Sequence, residues 1–296
     1  MLSRRTAVFA PLAAVSGAGA TGRMSLCMHQ GTSRGAGYRK SLEGWAKAGI
    51  RNVELAQASL DDFLKTDSLA AAGRVYRDLG LTAVSSQTAL ADLWIPGPER
   101  TASLEAWKKR CEMMSSLGLP KIYSPSLTTR KVTADDYRAT PGCIREAGEI
   151  AGQFNLTAMI EFSRTSTHLA TLTSSLKVIR EAGHPNVRPM MDFFHFWSGL
   201  SKFEDLDLLR PGELAHAHFQ DVADVPKELY DNSSRLIPGD GVAPLVRILR
   251  KLAEKGYTGA LSVELFLPEL QNGDPFETAR QIREKAQVVM GKARVL

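Results

Sequence analysis

Four apolar stretches in the second half of the chain each deliver a side chain that can bind a cation. Ala158-Met159-Ile160 runs into Glu161, Met190-Met191 into Asp192, and Leu261-Ser262-Val263 into Glu264. Leu214 to Asp221 alternates apolar and polar residues around His218. A lone carboxylate at the end of a buried strand is costly unless it is paired or coordinated. Two glutamates, one aspartate and one histidine make an oxygen and nitrogen donor set suited to a divalent cation. For any one of the four, the bland alternative is a rim residue with a local hydrogen bond. For all four together, that alternative buries several charges at one place with no cation, which is costly. His216 shares strand parity with His218 and is an outside candidate for a fifth ligand. Its plainer reading is an interior residue that supports the others.

The elements that must position these residues recur along the whole chain. Strand-like runs begin at Met24 and Asn52 and cover Thr82–Gln87 and Lys121–Ser124. Four more end at Glu161 and Asp192, pass through His218, and carry Glu264. Helical patterns lie between them: Tyr38–Ala48, Leu60–Leu79, Thr101–Leu117, Thr133 to about Phe154, Leu169–Ala182, Phe203–Leu209, Val242–Lys255 and Pro275–Met290. Gly49, Gly80, Gly118, Gly183 and Gly256 follow five of these helices as C-terminal stop signals. Strands alternating with helices imply a parallel sheet, and eight units of about 30 residues imply a closed (β/α)8 TIM barrel. No linker divides residues 24–296, so they are read as one domain. Functional groups of such barrels sit at the C-terminal ends of the strands, where all four candidate ligands fall. The longest irregular piece, Asp221 to Gly241, is the expected active-site loop.

Composition excludes several classes. The chain has 296 residues, 44% hydrophobic and 23% charged, as in ordinary soluble domains. Cys27, Cys111 and Cys143 are far apart and suggest neither a disulfide framework nor a zinc knuckle. The formal charge is +5, but Arg4, Arg5 and Arg23 lie in an acid-free start, and removing them leaves 5 − 3 = +2. No nucleic-acid partner is expected on that balance.

Residues 1–23 read as a leader. A start containing Arg4-Arg5 precedes the small and apolar run Thr6–Ala20, which ends Ala18-Gly19-Ala20. This is the form of a twin-arginine export signal to the periplasm. The run is short of the roughly 20 residues that span a bilayer, so no membrane span is expected. The alternative is a cytoplasmic protein whose true start is Met24.

The segments Met191-Asp192-Phe193-Phe194-His195-Phe196, His218-Phe219-Gln220-Asp221, Arg235–Gly241 and Ser262–Phe266 resemble the sugar isomerase/epimerase family built on the xylose-isomerase-like barrel, the inosose isomerases in particular. Weaker similarity covers the whole barrel, including Asn52-Val53-Glu54 and Leu60–Lys65. The resemblance maps that family's metal ligands onto Glu161, Asp192, His218 and Glu264, and its substrate-binding histidine and arginine onto His195 and Arg235. It implies one divalent metal ion, Mn2+ first and Mg2+, Co2+ or Zn2+ as alternatives. It also implies a sugar or keto-sugar substrate, and it is compatible with a homo-oligomer or a small partner subunit. The implied chemistry moves a proton on a carbon next to a carbonyl through a metal-stabilised enediolate. Glu161 and Glu264 would be the acid/base pair, with Arg235 holding a substrate oxygen and His195 orienting the carbonyl. His29 and Gln30, at the end of the first strand, are expected to touch substrate. Phe194 and Trp197 are either a wall for a sugar ring or core.

Two departures and three competitors accompany this reading. Ketose 3-epimerases carry a further glutamate after the fifth-strand ligand, whereas Phe162–His168 holds no acid. The stretch His29–Ser33 also differs from the inosose isomerase pattern. A lyase or deglycosidase on 3-keto-glycosides would use the same metal and the same proton abstraction but expel a leaving group. An endonuclease IV type needs more histidines than the second and third strand ends supply. A non-catalytic metal-binding module does not explain why Arg235 and both acid/base carboxylates are present.

Overall fold

A computed structural model describes residues 23–296; residues 1–22 of the expected leader, with its paired arginines, lie outside them. Eight parallel strands close into a barrel: β1 (Ser25–His29), β2 (Asn52–Leu55), β3 (Thr82–Gln87), β4 (Lys121–Pro125), β5 (Thr157–Glu161), β6 (Val187–Asp192), β7 (His216–His218) and, after a ribbon described below, β10 (Ala260–Val263). The ring is completed by β1 pairing with both β2 and β10. Most strands are short and largely apolar, as a parallel sheet covered by helices requires; β3 and β7 carry polar side chains instead, β7 reading His-Ala-His. The helices that cover it include α1 (Gly37–Lys47), α4 (Arg100–Leu117), α5 (Ala134–Gln153), α6 (Leu172–Ala182), α8 (Leu245–Glu254) and, after the single turn α9 (Pro268–Gln271), α10 (Pro275–Ala293). They bury Trp45, Trp107, Ile144, Leu176, Ile248 and Met290 against the outside of the barrel.

The helix ends follow local chemistry. Gly49, Gly80, Gly118, Gly183 and Gly256 all adopt positive φ, the left-handed turn that ends a helix at low cost in glycine. Thr133 and Asp136 form a reciprocal capping box at the start of α5.

The expected helix over Leu60–Leu79 is two helices, α2 (Gln57–Leu64) and α3 (Leu69–Asp78). The apolar period runs through both, which conceals the break. Asp67 Oδ1 accepts the Ser68 N–H at 2.7 Å, and the Ser68 hydroxyl accepts the Ala71 N–H at 3.2 Å, capping a new helix. Short polar side chains that bond the backbone locally interrupt a helix in this way. The long piece from Asp221 to Gly241 is also more ordered than expected. It contains an antiparallel ribbon, β8 (Asp221–Val222) against β9 (Arg235–Leu236). Directly after β6 the chain turns into a short helix, α7 (Phe193–Ser198).

Candidate metal centre at the barrel mouth

Strand register brings the four candidate ligands to one level. Asp192 pairs with His218 across β6 and β7, His218 pairs with Ser262 on β10, and Glu264 follows two residues later. Glu161 ends β5 opposite Met190 of β6. One atom from each of Glu161, Asp192, His218 and Glu264 lies within 4.8 Å of the other three, and all four residues are buried. His218 Nδ1 stands at the centre, 3.1 Å from Glu161 Oε1, 3.3 Å from Asp192 Oδ2 and 3.5 Å from Glu264 Oε2. A cavity of about 330 Å³ at the opposite end of the barrel, lined by Lys121, Thr157, Arg188 and Tyr257, includes none of these residues.

The electrostatics are those of a site short of positive charge. Burial pushes the Glu161 carboxyl up to about 7, partly opposed by His218, and burial also raises Glu264. Burial pushes Asp192 the same way, but the Arg235 guanidinium, His195 and His218 outweigh it and hold Asp192 well below the usual carboxylate range. Burial would lower His218, yet the surrounding charges of Glu264, Glu54 and Glu161 raise it well above an ordinary imidazole. Glu161 Oε1 is buried, and although His218 Nδ1 lies 3.1 Å away no group meets it in hydrogen-bond geometry. Three carboxylates converge on a single ring nitrogen, and one of their oxygens is orphaned. This donor set fits a divalent cation, for buried oxygens of this kind need a cation or donors.

Arg235 is the permanent cation of the site. Ribbon strand β9 delivers it, buried, with Nη1 2.5 Å from Asp192 Oδ2 and 3.2 Å from Glu264 Oε2. Its guanidinium lies between two rings, 4.6 Å from the centroid of Phe194 and 5.2 Å from that of Phe266. Nη2 donates to His195 Nε2 at 3.1 Å. Arginine can only donate, so Nε2 of His195 carries the lone pair. Burial lowers His195 to about 3, which keeps the ring neutral for that role. His195 therefore braces Arg235. Asp192 also works twice: Oδ1 caps α7 through the His195 N–H at 2.7 Å, and Oδ2 accepts from Gln220 Nε2 at 2.7 Å.

The two candidates at the end of β1 diverge. His29 Nδ1 accepts the Gly31 N–H at 3.1 Å, and burial lowers the ring to about 4. Its 3.4 Å approach to Glu264 is thus a contact with a neutral ring, not an ion pair. The Nε2 of His29 is buried with no partner. Gln30 is a correction. Its amide donates to Tyr38 O and Ser41 Oγ, both at 3.3 Å, and accepts from the Ala56 N–H at 3.3 Å. Those bonds tie β1, α1 and the end of β2 together, so the side chain is spent on the scaffold. Phe194 is core, 1% exposed against Val222 and Tyr230. Trp197 is half-buried, with Lys227 Nζ 5.2 Å from its ring centroid.

Below the four ligands lies a group the sequence did not single out. Glu54 of β2 is fully buried, with Oε2 2.9 Å from His216 Nε2 and 3.3 Å from His218 Nε2. His216 thus pairs with Glu54 and lies outside the outer set of four. Gln220 and Phe266 were missed as well, although both sit in the segments that carry the resemblance.

Comparison with known proteins agrees with the barrel fold. The sequence model of the xylose isomerase-like TIM barrel family matches residues 42–289. The inosose isomerase of Halalkalibacterium halodurans is 24% identical over 277 residues, which cover 91% of this chain and 97% of that enzyme. The 3-dehydroshikimate dehydratase of Pseudomonas putida is 26% identical over 237 residues, 77% of this chain and 36% of that enzyme. The crystal structure of the IOLI protein with a bound zinc atom superposes with a TM-score of 0.84 at 23% identity, covering 91% of this chain and 99% of that one.

Proposed function

The chain belongs to the xylose isomerase-like TIM barrel family, and we propose that it is a divalent-metal-dependent isomerase or epimerase of keto-sugars or keto-cyclitols. The observation that carries this reading is the set of three carboxylates around His218 Nδ1, with Arg235 against two of them. The inosose isomerase relatives support the substrate class. Glu161, Asp192, His218 and Glu264 would hold the cation. Mn2+, Mg2+, Co2+ and Zn2+ all suit the donors, and zinc has the added support of the structural neighbour. The bound ion supplies a Lewis acid that stabilises negative charge on the substrate oxygens.

The protein's own groups perform the proton transfer. One of Glu161 and Glu264 takes the proton from the carbon next to the carbonyl, and the other returns a proton to the neighbouring carbon or to the opposite face. Arg235 donates to a substrate oxygen on which charge develops, held in place by His195, Phe194 and Phe266. The unpartnered Nε2–H of neutral His29 is available to a hydroxyl at the same mouth.

A second reading keeps the first step and expels a leaving group, as a lyase or deglycosidase on 3-keto-glycosides. It is favoured by the relative named a dehydratase and by the absence of an acid in Phe162–His168. Turnover in D2O, followed by NMR on ketoses, inososes and 3-keto-glycosides, tests both. Isomerisation or epimerisation places deuterium on carbon. Elimination releases an aglycone. Turnover that leaves every carbon-bound hydrogen in place would exclude both readings.

A further inference from the structure

We propose that Glu54 is a positioning residue that fixes the tautomer and orientation of His218. The inference rests on the ligand set proposed above, because it assigns a support to one member of that set.

A neutral imidazole has one nitrogen with a proton and one with a lone pair, and a metal ligand must present the lone pair. His218 presents Nδ1 to Glu161, Asp192 and Glu264. With the ion bound its one proton then belongs on Nε2, and that atom needs an acceptor because the ring is fully buried. The nearest carboxylate oxygen to Nε2 is Glu54 Oε2 at 3.3 Å. The same oxygen takes His216 Nε2 at 2.9 Å, so Glu54 is anchored from a second side by a ring on the same strand as His218. Tyr123 meets the His218 ring edge-on, with centroids 5.3 Å apart, and limits its rotation. Carboxylates placed behind ligating histidines orient the ring and raise its basicity, and their loss typically costs about 10- to 100-fold in metal affinity.

The competing account is a second, inner cation held by Glu54, His216 and His218, whose ligand atoms also lie within 4.8 Å of one another. Glu54 Oε2 is hydrogen-bonded to His216 Nε2, while His218 Nε2, 3.3 Å from the same oxygen, is buried with no other partner. Sharing that acceptor satisfies the second N–H without an inner cation, and stoichiometry separates the two accounts.

The test uses the full chain loaded with zinc, with affinity read by chelator competition and zinc content by elemental analysis. The variants are Glu54→Ala, Glu54→Gln and Asp192→Ala. Wild type should hold one zinc. Glu54→Ala should keep that stoichiometry and lose about 100-fold in affinity, and Glu54→Gln, which retains an acceptor oxygen without the charge, about tenfold. In proton–nitrogen spectra of the zinc-loaded protein with 15N-labelled imidazoles, His218 should show a proton on Nε2 with a downfield, slowly exchanging signal. That signal should move upfield in Glu54→Ala and recover partly in Glu54→Gln. Should Glu54→Ala fail to fold, Glu54→Gln decides. Wild-type zinc affinity together with an unmoved His218 signal in Glu54→Gln would overturn the proposal while leaving the ligand set intact. Two zinc ions per chain in the wild type, with one lost in Glu54→Gln, would also overturn it, in favour of the inner cation. Asp192→Ala binding zinc as tightly as wild type would instead remove the ligand set itself.

Discussion

Arg235 Nη1 lies 2.5 Å from Asp192 Oδ2, the same oxygen that faces His218 Nδ1. A permanent cation and the proposed divalent ion therefore draw on one carboxylate. Replacing Arg235 by methionine removes a like charge from beside the ion and a donor from beside the substrate. Arg235→Met should bind the divalent ion as tightly as wild type or more tightly, and lose on the order of 10²-fold in turnover, the scale seen when one charge-stabilising donor is deleted. Metal titration and kcat on the same preparation check the pair of effects. Weaker metal binding in this variant would mean that Arg235 supports the ligands instead of competing with the ion.

Loading the site should stabilise the fold. Burial raises Glu161 and Glu264 because their charges lack full compensation, and an ion that binds only the folded state adds about 2.7 kcal/mol at a concentration 100 times its Kd. A thermal melt with and without a chelator should differ by about 5 °C for a chain of this size. Asp192→Ala should show no difference. Elemental analysis should give one ion per wild-type chain.

Glu264→Gln keeps the shape and one ligand oxygen of the side chain but removes the base. It should retain bound metal and lose on the order of 10²-fold or more in rate, the scale of general-base removal. Exchange of the substrate's carbon-bound hydrogen in D2O should fall by the same factor. A variant that still exchanges at the wild-type rate would leave Glu161 as the single base.

His168 gives a pH dependence away from the ligands. Burial lowers its ring to about 4, and Nε2 contacts Thr140 Oγ1 at 2.8 Å. The fold thus holds the neutral form, whereas the unfolded chain protonates near the ordinary value of about 6.5. The unfolded state binds the extra proton between those values. The contribution is present in full above 6.5 and is lost as pH falls towards 4, by up to about 3 kcal/mol. Urea midpoints measured from pH 7 to pH 4 should fall less steeply in His168→Gln than in wild type. Parallel curves would show that His168 titrates normally in the fold.

We propose that residues 1–23 are an export leader and that the barrel folds without them. Met24 N–H already donates to Val295 O at 2.6 Å, and β1 follows at once. A chain starting at Met24 should melt cooperatively and within a few degrees of the full one. Fusion of residues 1–23 to a reporter, with Arg4 and Arg5 replaced by lysine as the control, tests the twin-arginine route.

The candidate ligands were legible because each belongs to its own strand. An apolar run ending in an acid is a local pattern, and the barrel then brings four such ends to one mouth. Glu54 follows the same pattern at Asn52-Val53-Glu54, but its role depends on His216 and His218, which come to it only through closure of the barrel. Gln30 misled for the same reason. Its place at a strand end is local, while its partners Tyr38, Ser41 and Ala56 are not. Arg235 was accessible only through resemblance. No period marks it, since its position comes from a two-residue ribbon inside a long loop.

That ribbon separates the delivery of Arg235 from the excursion that precedes it. Val222 pairs with Arg235 and Asp221 with Leu236. The Asp221 carboxylate then fastens the far side, accepting from Gly239 and Ala243 N–H at 3.0 and 2.9 Å. Residues 223–234 thus leave and rejoin the barrel at a closed neck. A longer excursion would cost only about 0.6 kcal/mol per doubling of its length, and the neck would keep the guanidinium in register. Arg164 reaches this excursion at Tyr230 O, 2.6 Å away, and Lys227 Nζ reaches Trp197 O at 2.7 Å, so its tip overhangs the mouth. The segment is therefore a natural graft point on one condition: Tyr230 packs on Phe194, the ring against which Arg235 rests, so an exchange of 223–234 that keeps this tyrosine alters the rim and leaves that support in place.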